Sequence, residues 1–496
     1  MKNIKSFVRK HWFGICVVLV VLLAGLLRFY NYDVRWALAH DQARDALVAR
    51  ETLRQHKIPV LGSFSQAGSF VMGPIWYWLL TIATAFYPQS ILTPWVAITL
   101  SYVAVVYLMI LIGKELGGKW LGLLVGLFTA VSPSQIAQSS DLINPSGVAI
   151  FSVLSIYFAI KYIKTKKNIF LFLFPFFVAL AINIHLQAIG LVSLILVTLI
   201  LQKPNNIKSI AFLFTGFILP FVPLIVFDLK HNFYDLRSLI DYYLYGQYRI
   251  YVPNRWLTYV GLYWPSAWAY IIGGQKTFGY LSIYLLSIFT PYLILKGKIT
   301  KPLLSIILSF LLIFIMLRFY RGERFDSYLI FAHPFVLILT GWVSYNLFKL
   351  NRTLGFLVIV LLILGNVQIN SSNIFSSTNS ALAHAKEWDE ALTKAYPDKK
   401  FKIYDFQQKH KSSSLPLSLY LDLNNKIDDN GTKVGLVIAT SGARFAHRSI
   451  YGERMGWQLL DLSSSTSAEL SQEGWFIMNP SAIYHDTQDW YKGKKL

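Results

Sequence analysis

Asp41 stands at the head of HDQARDALVARE, a stretch in which carboxylates, arginines and an amide recur at helical spacing. Ala43, Ala46, Leu47 and Leu53 fall on one side of that helix, with Arg44, Glu51 and Gln55 on another. Such a helix can lie on a membrane surface with its first turn facing a site. The helix dipole keeps a carboxylate in the first turn ionised. An ionised carboxylate can take the proton of a hydroxyl as that oxygen attacks a sugar carbon. Asp also caps helix N-termini well, so Asp41 reads as a plain cap too. Asp45, one turn on, is placed to orient Arg44 or a ligand.

Three further groups carry polar chemistry. SPSQIAQSSDLINPSG holds Asp141 and Asn144, which can meet Asp41 across one site, sharing a divalent ion or holding a sugar. The same residues also read as a polar turn that caps the next helix at Asn144 or Ser146. His185 sits beside Gln187 near the end of an apolar segment. Polar pairs at membrane depth face cavities, though a lone histidine also serves as a satisfied interior group. Arg318, Arg321 and Arg324 cluster in RFYRGERFDSY. Guanidinium forks suit a phosphate at headgroup level, and they also suit interfacial anchoring with Glu323 or Asp326. The metal question stays open, with Asp41 and Asp141 as candidate ligands. The single cysteine, Cys16, lies in an apolar run and excludes both an internal disulfide and a cysteine metal site.

The elements that position these residues are membrane helices. Apolar residues make up 55% of the chain and charged ones 14%, far from the roughly one quarter charged of a soluble fold. Spans are expected at about 12–29, 92–113, 120–134, 146–162, 169–184, 187–202, 209–227, 279–295, 302–318, 329–347 and 353–370. The fold class is therefore an all-α polytopic membrane domain of about eleven helices over residues 1–370, followed by a small extracytoplasmic α/β domain at 371–496. In that tail, Ser380 to Tyr396 reads as helix, and Phe401–Phe406, Lys433–Thr440 and Trp475–Met478 read as strands. The run Ile75 to Tyr87 is too short to cross and stays on the outer face, inside a first loop of about 29–90. The N-terminus has the charge of a signal peptide without a small-residue cleavage site, so it reads as an uncleaved first span.

The net charge of +21 is scattered through short loops: Lys114 and Lys119, Lys161 to Lys167, Lys203 and Lys208, Lys296 to Lys301, Lys349 and Arg352. The positive-inside rule places these loops and the N-terminus in the cytoplasm of a multi-pass plasma-membrane protein. No basic stripe suits nucleic acid. The first loop, the Asp141 loop, the Arg318–Arg324 loop and the tail then share the extracytoplasmic side.

These blocks, in this order, resemble the GT-C membrane glycosyltransferases, especially bacterial relatives of protein O-mannosyltransferases and the lipid A aminoarabinose transferase. HDQARDALVARE followed by GPIWYWLL resembles the first-loop acidic motif and its proline-aromatic partner. SPSQIAQSSDLINPSG, AINIHLQAIGL, FDLKHNF and RFDSYLIFAHPF resemble later blocks, covering roughly residues 12–345. The resemblance implies Asp41 as catalytic carboxylate, a hexosyl or pentosyl donor on polyprenyl or dolichyl phosphate, and inversion at the sugar carbon. Two positions depart from the pattern. Asp41-Gln42 replaces the Asp-Glu pair of many relatives, and Met72-Gly73-Pro74 stands where a relative has Lys-Pro-Pro. The second change removes a lysine contact to lipid phosphate and leaves Arg44 or the arginines around Arg321 to replace it. Some relatives use a divalent ion and others none.

Physical logic runs the same way. Nucleotide sugars stay inside the cell, so sugar transfer outside it draws on a donor carried in the bilayer. The acceptor is a glycan, a lipid or a protein. A transporter or flippase for lipid-linked glycans is the rival reading, but it would place charges within its spans, whereas here they gather at the outer face.

Overall fold

In the computed structural model, residues 2–65, 67–204, 206–249, 256–322, 324–375, 380–406, 414–438, 447–454 and 457–489 are described. Without water, a backbone must satisfy its own hydrogen bonds, and long apolar runs do so as helices. Among the described residues eight helices are long and apolar enough to span: Arg9–Phe29, Thr93–Gly117, Asn144–Thr165, Ile207–Lys230, Lys276–Leu295, Lys301–Phe319, Asp326–Leu350 and Arg352–Ser371. Lys119–Ala130 and Pro133–Ser139 make a further, broken span, bent by 57°. Pro133 has no N–H to continue the ladder, and the Ser132 side chain caps the new start by accepting from the Gln135 N–H. The segments expected at 169–184 and 187–202 form shorter apolar helices, Asn168–Ile184 and Leu186–Leu201. All eleven expected segments are thus helical, in an integral membrane protein. Leu19, Leu22 and Leu26 stay exposed on the first of them, as suits a face turned to lipid.

Ile75–Phe86 is a helix of 12 residues. At 1.5 Å per residue it is about 18 Å long, against a hydrocarbon core of about 30 Å. It packs beside the first-loop helix His40–Gln55, with Trp76 and Tyr77 fully buried. Arg28 fixes the approach to that loop. Its guanidinium is buried and donates to the Ala130 and Thr129 carbonyls at the end of Lys119–Ala130, a helix terminus that favours a cation.

The tail carries a five-stranded sheet: β1 (Phe401–Phe406), β2 (Thr432–Ile438), β3 (Arg448–Arg454), β4 (Trp457–Asp461) and β5 (Trp475–Ile477), in the order β3-β4-β2-β1-β5. β1 and β2 run parallel and the other pairs antiparallel. The helix expected from Ser380 is present as Ser380–Ala395. The strand expected at Lys433–Thr440 is β2, and positions 439 and 440 lie outside the described residues. β3, β4 and the helices Leu415–Leu423, Ser467–Glu473 and Pro480–Gln488 are additional to the expected elements.

Candidate functional site

The first-loop helix starts at His40, so Asp41 lies inside the first turn and does not cap it. The capping contact is made by Gln42, whose side-chain oxygen accepts from the Ala39 N–H at 3.1 Å. Asp41, Arg44 and Asp45 follow at spacings of three and four, which puts them on one face. Arg44 Nη1 donates to Asp41 Oδ1 at 2.8 Å. Its Nε and Nη2 donate to Asp45 Oδ1 at 2.9 and 2.8 Å.

Asp45 is 1% exposed and is fixed from the short helix, by Trp76 Nε1 at 2.7 Å and the Tyr77 hydroxyl at 3.3 Å. Asp45 is thus the anchor of Arg44, and Asp41, with 35% of its side chain exposed, is the open end of the triad. His40 Nε2 lies 3.5 Å from the other Asp41 oxygen. Burial works against the charged Asp41, but Arg44 and then His40 outweigh it and hold the carboxyl down at about 2. Burial raises the Asp45 carboxyl above its ordinary value against the pull of Arg44.

This triad borders a cavity of about 360 Å³. Its floor is His40, Asp41 and Arg44, and Asn144 and His185 stand on another side. A hairpin in the first loop forms a further wall. Gly62 and Met72 pair through the Gly62 N–H and the Met72 carbonyl, and Ser65 pairs with Phe70. The Asp235 carboxylate holds that hairpin by accepting the Val71 N–H at 2.7 Å. Tyr242, Tyr320, Phe325 and Tyr328 complete the enclosure, with the Tyr242 and Tyr320 hydroxyls 2.7 Å apart. The Met72-Gly73-Pro74 segment passes so close to Asn183 that a Cβ at Gly73 would fall 2.0 Å from its side chain.

The other candidate residues distribute around this centre. Asp141 reaches the first-loop helix one residue from Asp41: Gln42 Nε2 donates to Asp141 Oδ1 at 2.6 Å. Burial, with Asp41 adding to it against the Gln42 bond, pushes the Asp141 carboxyl up to about 6. Asn144 Nδ2 donates to Ser63 Oγ and to the Ile184 carbonyl, tying the Asp141 loop to the hairpin. The His185 ring lies 4.7 Å from that of Tyr328. Arg318 and Arg324 lie outside the cavity, next to the Tyr320–Tyr328 wall. Arg318 is buried with its guanidinium over Trp256 and Tyr259, and Arg324 lies over Tyr259 and Tyr263. The Arg321 N–H donates to Gln247 Oε1 at 3.0 Å.

These residues do not fit a divalent ion. No three His, Cys, Asp or Glu side chains converge among the described residues. Arg44 holds one Asp41 oxygen, and the Gln42 amide holds one Asp141 oxygen. Gln42 also accounts for the departure from an Asp-Glu pair, because only an amide can cap Ala39 with its oxygen and donate to Asp141 with its nitrogen.

The tail braces this helix from the polar side. Asp422, with a side chain 4% exposed, accepts from Arg50 Nε at 2.7 Å and Arg54 Nη2 at 2.6 Å. Gln488 bonds both the N–H and the carbonyl of Leu61, just before the hairpin.

Solved structures of ArnT from Cupriavidus metallidurans superpose on the fold of this chain with TM-scores of 0.62 in the apo state and 0.64 bound to undecaprenyl phosphate. Each match covers 92% of this chain and 99% of that one, at 10% identity. The chain has an ArnT-like fold. AglB, the oligosaccharyltransferase of Archaeoglobus fulgidus, in complex with an inhibitory peptide and a dolichol-phosphate, matches with a TM-score of 0.51 at 11% identity. That match covers 87% of this chain and 70% of AglB. Neither a family model nor a curated protein sequence matches the chain. The backbone path shared with ArnT spans both the membrane helices and the tail.

Proposed function

We propose that this protein transfers a sugar from a polyprenyl-phosphate carrier to an extracytoplasmic acceptor, with inversion and with Asp41 as the base. The observation that carries this reading is the pairing of an open carboxylate and an anchored guanidinium on the wall of one cavity, in a fold shared with an undecaprenyl-phosphate-binding protein. Arg44 takes the donor phosphate, because Asp45 fixes its position from behind. The acceptor oxygen attacks the sugar carbon, the bond from that carbon to the phosphate oxygen breaks, and lipid phosphate leaves with the electron pair. The acceptor proton passes to Asp41.

At about 2, the resting Asp41 is a weak base. Donor phosphate that shares Arg44 weakens its hold on Asp41, and burial then raises the carboxyl's affinity for a proton. Arg318, Arg321 and Arg324 serve the same phosphate at headgroup level, and Asp141, Asn144 and His185 hold the sugar. Residues 1–370 are the catalytic domain and 371–496 a bracing domain on the same side.

The orientation rests on the basic loops, which face the cytoplasm in this reading. Glu115, their one acid, supports it, since Lys161 at 2.5 Å and Lys164 at 2.6 Å neutralise it. Purified protein incubated with a panel of radiolabelled polyprenyl-phosphate sugars is expected to release or transfer the label from at least one. Translocation of the lipid with its sugar bond intact would contradict the proposal. For orientation, with Cys16 replaced, a cysteine near Gly68 is expected to react with an impermeant thiol reagent in intact cells, and one near Lys166 to be shielded.

A further inference from the structure

The span Ile207–Lys230 does not run on into the helix that follows it. Asn232 and Phe233 both take positive φ, 54° and 57°, a pair of left-handed residues that breaks the helix and redirects the chain. The helix Tyr234–Leu244 comes next. Its start is tied back to the end of the span, because the Asp228 carboxylate accepts the Asp235 N–H at 2.8 Å and the Leu236 N–H at 3.1 Å.

This helix has two faces. Tyr234, Asp235 and Tyr242 are buried on the first. Asp235 accepts the Val71 N–H, Tyr234 shares an apolar cluster with Phe64 and Val71, and the Tyr242 ring lies 5.0 Å from that of Phe70. One helix thus holds the hairpin that walls the cavity. The second face is apolar and uncovered. Phe233, Leu236, Ile240, Tyr243 and Leu244 recur at spacings of three and four, and each is 45% exposed or more. At about 100° per residue they fall in one arc about 100° wide. Arg237 and Asp241 flank that arc, and the exposed Tyr245 and Tyr248 follow it, the aromatic composition of a membrane interface.

An apolar stripe of this kind marks a contact surface, and its place in the chain says with what. It continues the lipid-facing side of the span, where Val222, Ile225, Val226 and Leu229 are exposed on the way to Phe233. We propose that Tyr234–Leu244 lies in the plane of the membrane, with this stripe seated in the headgroup–acyl boundary of a phospholipid bilayer. The occupant of the face is lipid, and the exposed Lys230 and Arg237 extend to its phosphates. Because the opposite face holds the hairpin, the bilayer itself positions one wall of the cavity. This goes beyond the transferase reading and stands without it, since the wall is set at the lipid surface whatever the cavity takes.

The test uses full-length protein carrying Cys16→Ser, in nanodiscs of phosphatidylcholine and phosphatidylglycerol. A nitroxide is attached at Ile240→Cys and, as an aqueous control, at Asn430→Cys on an exposed turn of the tail. The Ile240 label is expected to be relaxed more by oxygen, which concentrates in lipid, than by a water-soluble nickel chelate, and the Asn430 label in the reverse order. An Ile240 label as open to the chelate as the Asn430 label overturns the membrane contact. A label shielded from both reagents puts a second copy or another protein segment on this face and overturns it too. Coupling to the wall is read from a nitroxide at Ser69→Cys, at the exposed hairpin tip. Leu236→Asp combined with Ile240→Asp, both at exposed positions, is expected to keep wild-type melting and to raise the mobility of that label. Asp235→Ala should raise it as well, and Asp235→Asn, which keeps an oxygen for the Val71 N–H, should not. A Ser69 label unmoved in the double variant overturns the coupling. None of these readings uses a sugar donor or lipid phosphate, so the transferase proposal stands or falls separately.

Discussion

Replacing Asp45 by Asn keeps the shape of the side chain and removes its charge, so it tests whether Asp45 is what holds Arg44. In the native site the carboxylate accepts four hydrogen bonds, two from Arg44 and one each from Trp76 and Tyr77, at 1% exposure. An Asn oxygen can keep either Arg44 or Trp76, but its NH2 then faces the other donor. Arg44 is left buried, with the half-exposed Asp41 as its carboxylate. Breaking a buried ion pair by removing one partner costs about 3–5 kcal/mol. The retained oxygen places Asp45→Asn at the lower end, about 3 kcal/mol, and Asp45→Ala at the upper end. Trp76, Trp264 and Trp268 are buried, so intrinsic tryptophan fluorescence reports opening of the bundle on heating. Both variants are expected to melt several degrees below wild type, Ala below Asn. Arg44 should then lean wholly on Asp41, so donor turnover falls too, but by less than on neutralising Asp41 itself. An Asp45→Asn protein that melts with the wild type would refute the anchor.

Asp141 gives a pH-dependent prediction. Its carboxyl is raised to about 6 in the fold against an ordinary value of 3.8, so the folded state holds the proton longer. Stability therefore falls as pH rises from about 4 through 6, by up to about 3 kcal/mol, and Asp141→Asn should remove that fall. Melting at pH 4.5 and 7.5 checks this, and an unchanged pH slope would contradict it. Asp422→Ala should free Arg50 and Arg54 at a cost of about 2 kcal/mol, since the exposed Arg54 contributes little. Limited proteolysis between residues 57 and 61 should then speed up, and an unchanged cleavage rate would argue against bracing. Arg324→Ala is expected to weaken undecaprenyl phosphate binding about tenfold, and Arg44→Ala more, toward a hundredfold. Equal affinity of Arg324→Ala and wild type would move the phosphate role wholly to Arg44.

The helices were legible because a bilayer leaves a long apolar run no other structure, and the basic loops punctuate them. The Asp41–Arg44–Asp45 face was legible because i, i+3 and i, i+4 neighbours meet on any helix. Contacts that depend on tertiary approach were not. Gln42 meets Asp141 across 99 residues and Arg50 meets Asp422 across 372, and neither pairing has a local signature. The hairpin wall was hidden for a related reason, since its bridge pairs only Phe64 with Val71, held in place by Asp235 from a later loop. In the tail, LPLSLYLDL is apolar without a clear period, and Leu415–Leu423 is a helix packed against Ser380–Ala395 and the first-loop helix. Arg318 and Arg324 were picked out by charge, but the aromatic rings they lie over belong to residues 256–263 and could not be placed beside them from sequence.

The central claim is that Asp41 is a base, and Asp41→Asn tests it most directly. The side chain does not cap the helix, so the amide leaves Gln42 and the N-terminal turn in place. It still accepts from Arg44 but takes no proton at neutral pH. With a donor authenticated on the wild type, the variant is expected to fold, to bind undecaprenyl phosphate, and to lose about two to four orders of magnitude in transfer rate, the usual worth of a positioned general base. An Asp41→Asn protein that retains most of its turnover would contradict the assignment and make Asp141 the next carboxylate to test.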